Sequence, residues 1–453
     1  MTDQNTDRVV DVQIERMGQN GQGIAYLPDG RVFFVDRALP GELVRARVSQ
    51  LKSRYARGTL EQVLKPSPQR IDSLCPYFHQ CGGCSFQHWE YAEELKYKEN
   101  WIRESLRRIG KINNPPLRPI IPAPSASYYR NKGQFPWGYR GDHPVLGLYQ
   151  FRSHELVELT SCLIQDPAMS QMLEILPGLA TDYGLSVYDE NSGKGILRHV
   201  LLRTSKWSSD MLVLFVVTSE DPRLARLALD LIKRYPWVRG VGINLNPDQT
   251  NRILGTHTKI LAGIPIITDK ILGMSFHVSF ESFFQVNPEQ VGLLYQTALR
   301  HLPEYVDTAW DLYAGVGTLA SLISPHAGSV YAVEANIQAT RDAVQNFALN
   351  GIKNAHIITT PVEDTIESEL PSPQVVVMDP PRKGVDTKVL TVLMQMGPER
   401  IIYISCNPDT LARDVALLQD VYDIKSITPI DMFPRTDHVE SVVLMTKNVL
   451  KEK

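Results

Sequence analysis

Regular alternation of apolar strands and amphipathic helices from about residue 305 onward constrains the fold more than any other feature. The segments TAWDLY, VYAVE, HIITT, VVVM and IIYIS have the pattern of strands, and helical patterns such as IQATRDAVQNFALNG occur between strands. Strands as uniformly apolar as VVVM are typical of a parallel sheet that is covered on both faces. The pattern therefore predicts a doubly wound α/β domain, Rossmann-like in its layout.

The first 66 residues have a different pattern, of short strands separated by turn signals. Five such strands in about sixty residues predict a small β-barrel of the OB type, with strands near 9–17, 21–27, 30–36, 41–50 and 56–64. Seven Lys and Arg but only two Glu occur between Gly41 and Arg70. This local excess favours either contact with phosphates or an ordinary solvated face.

The chain has 453 residues, of which 43% are hydrophobic and 21% charged, so two or three domains are expected. A helix is predicted across 91–110, with Leu95, Ile102, Leu106 and Ile109 facing inward. The region from about 115 to 270 is mixed, with strands in LVLFVVTS and VGINLN and a helix in LARLALDLIKRY. The polar N-terminus and the shortness of the apolar runs predict a cytosolic protein without a membrane span.

Three of the five cysteines lie close together in the sequence, and the other two stand apart. Cys75, Cys81 and Cys84 follow the spacing Cys-x5-Cys-x2-Cys, Cys162 stands alone, and Cys406 lies near the C-terminus. In a reducing cytosol such clustering indicates metal rather than disulfide bonds. On spacing alone, structural zinc is the first expectation for the clustered cysteines.

A glycine-rich turn follows the first strand of the predicted parallel sheet. It contains Gly315-x-Gly317-x-x-Ala320, and Glu334 lies 23 residues after Asp311, at the end of the next strand. Glycines let the backbone approach a ligand closely, and a carboxylate at this spacing accepts hydrogen bonds from ribose hydroxyls. The pattern predicts an adenosine-bearing cofactor, and a nicotinamide dinucleotide is the alternative.

Reactive groups in an open α/β sheet gather outside the carboxyl ends of the strands. Asp379 follows VVVM and is fixed by two prolines, and Cys406 follows IIYIS. A helix that starts after Cys406 is expected to lower the pKa of its thiol, although a cysteine there can also be a plain core residue. Glu440 precedes the last strand and shares this rim if that strand is antiparallel. A nucleophilic thiol and a carboxylate base suit alkylation of a pyrimidine at carbon 5.

At this point the chain resembles the RNA uracil-5-methyltransferases, specifically the iron-sulfur 23S ribosomal RNA branch with an N-terminal TRAM domain. The motifs that carry the resemblance are FFQVN, DLYAGVG, DPPRKG, SCNP and DMFPRTDHVE. It implies that Cys406 is the nucleophile and Glu440 the proton acceptor. It also implies S-adenosylmethionine contacts from four residues: Gln285, Tyr313, Glu334 and Asp379. The remaining cysteines become the implied ligands of a 4Fe-4S cluster: Cys75, Cys81, Cys84 and Cys162.

The resemblance implies three regions and an RNA substrate. The regions are a TRAM barrel at 1–66, a central iron-sulfur and RNA-binding α+β region at 67–270 and a methyltransferase domain at 271–453. The expected partner is an unpaired uridine of 23S ribosomal RNA, bound by a monomeric enzyme. The barrel, residues 128–132 and Trp137 are candidates to contact that RNA, and the alternative for each is an ordinary surface or core residue. The alternatives are a transfer RNA methyltransferase, an RNA-binding protein without catalysis and a nicotinamide oxidoreductase.

Overall fold

The computed structural model describes residues 8–365 and 370–448. The N-terminal part is a six-stranded sheet in the order β1-β5-β6-β4-β3-β2, in which only β4 and β6 pair in parallel. Its strands are β1 Val9–Gln13, β2 Arg16–Met17, β3 Gln22–Tyr26, β4 Val32–Asp36, β5 Leu43–Leu51 and β6 Tyr55–Lys65. The predicted first strand is thus divided in two, because residues 14 and 15 leave the ladder.

Basic residues of this barrel are partly neutralised by neighbouring acids. Three of the seven Lys and Arg counted between Gly41 and Arg70 form ion pairs, namely Arg45 with Asp11, Arg47 with Glu61 and Arg70 with Glu42. A pairing acid cancels much of the charge that a phosphate would meet. The sequence count therefore overstates the positive charge of this surface.

Helix α1, Tyr91–Arg108, follows the barrel and packs against the C-terminal sheet region. Ile102 and Leu106 are buried there as predicted. The prediction was wrong for Ile109, which is 43% exposed because the helix ends at Arg108. Glu94 and Lys98 are buried instead, so the inward face of α1 is partly charged.

The central region contains a seven-stranded sheet in the order β13-β12-β11-β10-β7-β8-β9. Its strands are β7 Lys132–Arg140, β8 His143–Tyr149, β9 Leu156–Glu158, β10 Leu197–Thr204, β11 Met211–Val217, β12 Val238–Leu245 and β13 His257–Gly263. Helices α2, Pro167–Asp182, and α3, Pro222–Arg234, pack on it. Trp137 is only 6% exposed within this core, so of the two alternatives for this residue the structure favours a core role over RNA contact.

A hairpin and one helix lead to the second seven-stranded sheet, whose order is β18-β17-β16-β19-β20-β22-β21. The hairpin strands are β14 Ile266–Ile271 and β15 Met274–Ser279, and the helix is α4 Pro288–Leu299. The strands of the sheet are β16 Val306–Leu312, β17 Ala327–Glu334, β18 Ala355–Thr359, β19 Val375–Met378, β20 Arg400–Ser405, β21 Tyr422–Ile430 and β22 Glu440–Lys447. Its helices are α5 Thr318–Ile323, α6 Ile337–Leu349, α7 Val362–Thr365, α8 Thr387–Met396 and α9 Pro408–Leu418.

The first five strands of this sheet are parallel, and apolar cores cover both of its faces, as predicted. Strand β22 pairs antiparallel with β20, so that Ser405 lies opposite Ser441. The beginning of β22 therefore lies at the edge where the parallel strands end. Among the described helices, none combines the length and the apolar character needed to cross a membrane.

Candidate active site

One cavity opens at the carboxyl ends of the parallel strands and has a volume of about 560 Å³. Its walls come from helix α4, from the segments that follow each of the strands β15 to β21 and from the start of β22. All six residues predicted for cofactor binding and catalysis line it: Gln285, Tyr313, Glu334, Asp379, Cys406 and Glu440. The fold thus brings together segments that are up to 155 residues apart in the sequence.

The glycine-rich turn forms one wall of the cavity. Tyr313, Gly315 and Gly317 all have positive φ, at 66°, 55° and 75°, and a Cβ on Gly317 would lie 2.7 Å from the Phe347 ring. Only glycine occupies such a position without strain. The carboxylate of Glu334 accepts a hydrogen bond from the Gly315 N–H at 2.9 Å, which fixes the turn beside the carboxylate. Its remaining lone pairs are available to a ligand hydroxyl.

Two buried aspartates lie at the ends of neighbouring strands. Burial raises the pKa of Asp311 to about 8, and the carboxylate accepts a hydrogen bond from the Ala320 N–H. Burial also raises the pKa of Asp379 to about 7, although the Gln285 amide donates to this carboxylate at 3.3 Å. A carboxylate desolvated in this way is stabilised by a cationic ligand. The cavity therefore favours a positively charged group beside Asp379.

Cys406 lies between the end of β20 and the start of α9. Asn407 caps α9 through a hydrogen bond from the Asp409 N–H, and Pro408 occupies the first helical turn, as the sequence predicts. The expected lowering of the thiol pKa was wrong: burial, followed by the charges of Glu440 and Asp379, raises this pKa to about 12. Arg382 opposes the shift. The thiol is thus protonated in the free protein and needs a base or a bound cation for activation.

Glu440 is the first residue of β22 and is 3% exposed. Burial raises the pKa of its carboxyl group well above the usual range, and the negative charge of Asp379 adds to the shift. Its Oε2 atom has no hydrogen-bond partner in the described part of the chain. An unpaired carboxyl oxygen at a cavity wall is suited to accept a proton from a ligand.

The cavity also contains residues that the sequence did not single out. Phe283 is 64% exposed at its edge, Arg382 lies beside the thiol, and Phe433 and Tyr295 complete the walls. Phe283 and Arg382 belong to the motifs FFQVN and DPPRKG, which also contain Gln285 and Asp379. Their closeness in the sequence to these predicted site residues could have indicated that they line the cavity. Tyr295 lies within helix α4, where no local signal distinguishes it from a core residue.

The four remaining cysteines line a second, separate cavity. Cys75, Cys81, Cys84 and Cys162 share it with apolar neighbours such as Leu148. The Gly83 N–H donates to the Cys81 sulfur at 3.4 Å, and the Gln87 amide donates to the Cys84 sulfur at 3.6 Å. Burial raises the pKa of Cys81, Cys84 and Cys162. Within residues 8–365 and 370–448, however, no group of three or more His, Cys, Asp or Glu is arranged to hold a metal ion.

The fold and the cavity define the α/β methyltransferase class, preceded by a β-rich module. The tRNA (Uracil-5-)-methyltransferase family matches residues 259–448, and the TRAM domain family matches residues 4–60. An uncharacterized RNA methyltransferase of Halalkalibacterium halodurans is 39% identical over 451 residues, which cover 98% of each chain. One of Oceanobacillus iheyensis is 35% identical, over 98% of this chain and 97% of the relative.

The chain therefore belongs to the RNA uracil-5-methyltransferase family with a TRAM domain, and it is an S-adenosylmethionine-dependent RNA methyltransferase. The solved structure of Pyrococcus abyssi tRNA (uracil-54, C5)-methyltransferase in complex with S-adenosyl-L-homocysteine has the same fold. It matches with a TM-score of 0.77 and 24% identity, over 96% of this chain and all of that one.

Proposed function

We propose that the chain methylates carbon 5 of a uridine in 23S ribosomal RNA through a covalent intermediate on Cys406. The observation that carries this proposal is the single cavity lined by Cys406, Glu440 and the glycine-rich turn. Binding of the cationic cofactor favours loss of the Cys406 thiol proton to solvent. The thiolate bonds to carbon 6 of the base, and carbon 5 of the resulting enolate takes the methyl group as the sulfur–methyl bond of S-adenosylmethionine breaks. Glu440 removes the carbon 5 proton, the carbon–sulfur bond breaks, and the thiolate leaves.

Cofactor binding is assigned to Gln285, Tyr313, Glu334 and Asp379. Glu334 accepts hydrogen bonds from the ribose hydroxyls, since its position beside Gly315 fits that role. Asp379 faces the sulfonium, since its charge raises the pKa of both Cys406 and Glu440 and it therefore lies near the reacting atoms. The sulfonium in turn favours the ionised form of Asp379.

The pH dependence of cofactor binding tests the role of Asp379. Because its pKa is about 7, S-adenosylmethionine binding should tighten by about tenfold between pH 6 and pH 8 as the carboxylate ionises. S-adenosylhomocysteine has the same amino and carboxyl groups but no sulfonium charge, so its affinity should change much less. Calorimetry on both ligands gives the ratio of affinities. In Asp379→Asn that ratio should be flat with pH, and a ratio that still rises would assign the effect to another group.

Ribosomal RNA is the proposed substrate because the chain combines a TRAM domain with four clustered cysteines. Transfer RNA is the second candidate, favoured by the description of the matching family and by the P. abyssi structure. Incubation with labelled cofactor and unmodified 23S ribosomal RNA or transfer RNA, followed by mapping of the methylated nucleotide, separates them. We expect labelled 5-methyluridine in ribosomal RNA and none in transfer RNA. Label in transfer RNA alone would show that transfer RNA, rather than ribosomal RNA, is the substrate.

We also propose that Cys75, Cys81, Cys84 and Cys162 hold a 4Fe-4S cluster. The four thiols fit such a group because they line one cavity and are partly buried, and because Cys81 and Cys84 accept N–H donors, a feature that tunes iron-sulfur clusters. A single structural zinc ion is the alternative for the same four thiols. When bound, the cluster would serve as a structural crosslink between the segments 75–84 and 162.

Protein purified without oxygen should accordingly be brown and contain about four iron atoms per chain. Cys84→Ser should lose the colour and most of the iron, because a buried hydroxyl is a poor substitute for a thiolate ligand. Cys406→Ser is the matched control and should keep both, since Cys406 lies in the other cavity. Metal analysis that finds one zinc per chain in the colourless wild-type protein would overturn the cluster.

The proposed organisation has a TRAM barrel at 1–66, a central region at 67–270 and a methyltransferase domain at 271–453. Residues 1–7 of the first range lie outside the described residues. We further propose that the enzyme works as a cytosolic monomer. Analytical ultracentrifugation of the full chain tests the monomeric state.

A further inference from the structure

The nine residues between β21 and β22 form a loop, Asp431–Val439, that leads directly to Glu440. Ile430 and Glu440 are the last pair of the β21–β22 ladder, so the loop beyond them has no strand partner. Phe433 of this loop lines the active-site cavity. The backbone at Glu440 is therefore placed on one side by the β21–β22 ladder and on the other by the contacts that hold the loop from outside the sheet.

Lys98 on helix α1 supplies one such contact. Its ammonium group donates to Asp431 Oδ1 at 2.7 Å, to the Phe433 carbonyl at 3.1 Å and to Glu94 Oε1 at 2.7 Å. All three donors of the ammonium are thus used, and the side chains of Lys98, Glu94 and Asp431 are fully buried. Tyr91 of the same helix donates to Asp431 Oδ2 at 2.7 Å.

A second contact holds the loop at Arg435. The Arg435 N–H donates to Glu94 Oε1 at 2.7 Å, and its guanidinium donates to the Trp89 carbonyl at 2.7 Å. Arg435 has a φ of 68°, in the left-handed region, so its backbone needs such support. The guanidinium also lies 3.7 Å from Glu94 Oε2, so the buried Lys98 and the partly buried Arg435 lie beside the two carboxylates of Glu94 and Asp431.

Buried ion pairs are a weak source of stability, because desolvation of the charges offsets their attraction. A plain apolar face on α1 would hold the helix against the sheet equally well. An apolar face does not fix the direction of the loop, whereas hydrogen bonds to the Phe433 carbonyl at 3.1 Å and from the Arg435 N–H at 2.7 Å hold its backbone at two points. The charged face is therefore explained by the placement of the loop rather than by packing.

We propose that Lys98, together with Glu94, is a positioning residue that orients the loop Asp431–Val439 and thereby places Glu440 for proton removal. The proposal rests on the proposed role of Glu440. It assigns α1, a helix outside the catalytic sheet, to the elimination step. Thiol addition depends instead on Cys406, which lies between β20 and α9. Helix α1 contacts α9 through Trp101 and Ser105, which donate to Asp409, and these contacts do not involve Lys98. Loss of the Lys98 contacts should therefore slow the elimination step more than the addition step.

The double variant Glu94→Gln/Lys98→Met tests this inference, because it removes one buried charge of each sign. Turnover should fall by about 10- to 100-fold, the effect of a small misplacement of a catalytic group. The single-turnover rate of covalent adduct formation should change by no more than about twofold, so methylated protein–RNA adduct should accumulate. Cofactor affinity, measured by calorimetry, should stay at the wild-type value.

Glu93→Gln/Lys96→Met is the matched control, since it removes a solvent-exposed ion pair from the same helix. This control should leave turnover unchanged. Equal losses in adduct formation and turnover, or no loss in either, would overturn the positioning role. If Glu94→Gln/Lys98→Met melts below the assay temperature, Tyr91→Phe is the substitute variant, since it removes one hydrogen bond to Asp431. Turnover of Tyr91→Phe should again fall more than the rate of adduct formation, but by a smaller factor.

The variant Glu440→Gln separates this inference from the proposed function. If Glu440→Gln accumulates adduct but Glu94→Gln/Lys98→Met does not, only the positioning role fails. If Glu440→Gln itself accumulates none, the role of Glu440 fails, and the inference falls with it.

Discussion

Replacement of Cys406 with alanine is expected to lower methylation of RNA by at least about 10³-fold, as removal of a covalent nucleophile does. Without the sulfur, carbon 5 of uracil is too weak a nucleophile to attack the methyl group. Cofactor binding should stay within about twofold of wild type, because the glycine-rich turn and Glu334 do not depend on the thiol. Methyl transfer to unmodified RNA and calorimetry of cofactor binding measure the two quantities.

RNA that contains 5-fluorouridine at the target position provides the direct control. Fluorine at carbon 5 cannot leave as a proton, so the wild-type enzyme should stall as a covalent complex that survives denaturation. Cys406→Ala should form no such complex. A stable complex with Cys406→Ala, or turnover near the wild-type rate on unmodified RNA, would assign the nucleophile to another residue.

The raised pKa of the Cys406 thiol is compatible with this role. In the free protein the thiol is buried beside two acidic residues, Glu440 and Asp379, and all three therefore hold their protons more tightly than in water. In the proposed complex, a sulfonium beside Asp379 would favour the ionised form of each of these groups. The cofactor itself thus favours the thiolate, and activation of Cys406 is coupled to cofactor binding.

The convergence of Cys406, Asp379 and Glu440 could be predicted from the sequence because strand ends fix positions in an α/β sheet. Each residue directly follows or begins an apolar strand, and the antiparallel direction of β22 brings its first residue to the same rim. The shift of the Cys406 pKa could not be predicted. The local sequence indicates only the helix that starts after Cys406, which would lower the pKa of the thiol. The charges that raise this pKa belong to Glu440 and Asp379, which are distant in the sequence.

The charged inner face of α1 also escaped prediction, for a physical reason. Helical periodicity assigns apolar residues to the core. It therefore predicts that Leu95 and Ile109 face inward and gives no reason to expect Glu94 and Lys98 there. The partners that neutralise these two charges, Asp431 and Arg435, lie more than 330 residues further along the chain. Only the folded chain shows that the charges are paired. The meeting of Cys162 with the three clustered cysteines depends on the fold in the same way.

Replacement of Glu440 with glutamine is expected to trap the enzyme on its RNA after methyl transfer. An amide cannot accept the carbon 5 proton, while its size and shape preserve the cavity wall, so thiol addition and methylation proceed and elimination does not. Most of the protein should migrate as a denaturation-resistant adduct after one turnover, and multiple turnover should fall by at least about 10²-fold. Gel shift under denaturing conditions and mass spectrometry of the adduct measure this.

Glu334→Gln is the matched control, since it makes the same chemical change in the same cavity on the cofactor side. It should weaken cofactor binding and slow the overall reaction without accumulating adduct, because the base for elimination is intact. The contrast between the two variants is decisive: adduct with Glu440→Gln alone assigns proton removal to the residue that begins β22. Adduct with neither variant would assign proton removal to a different group in the cavity. The loop Asp431–Val439 would then not serve to place a catalytic base.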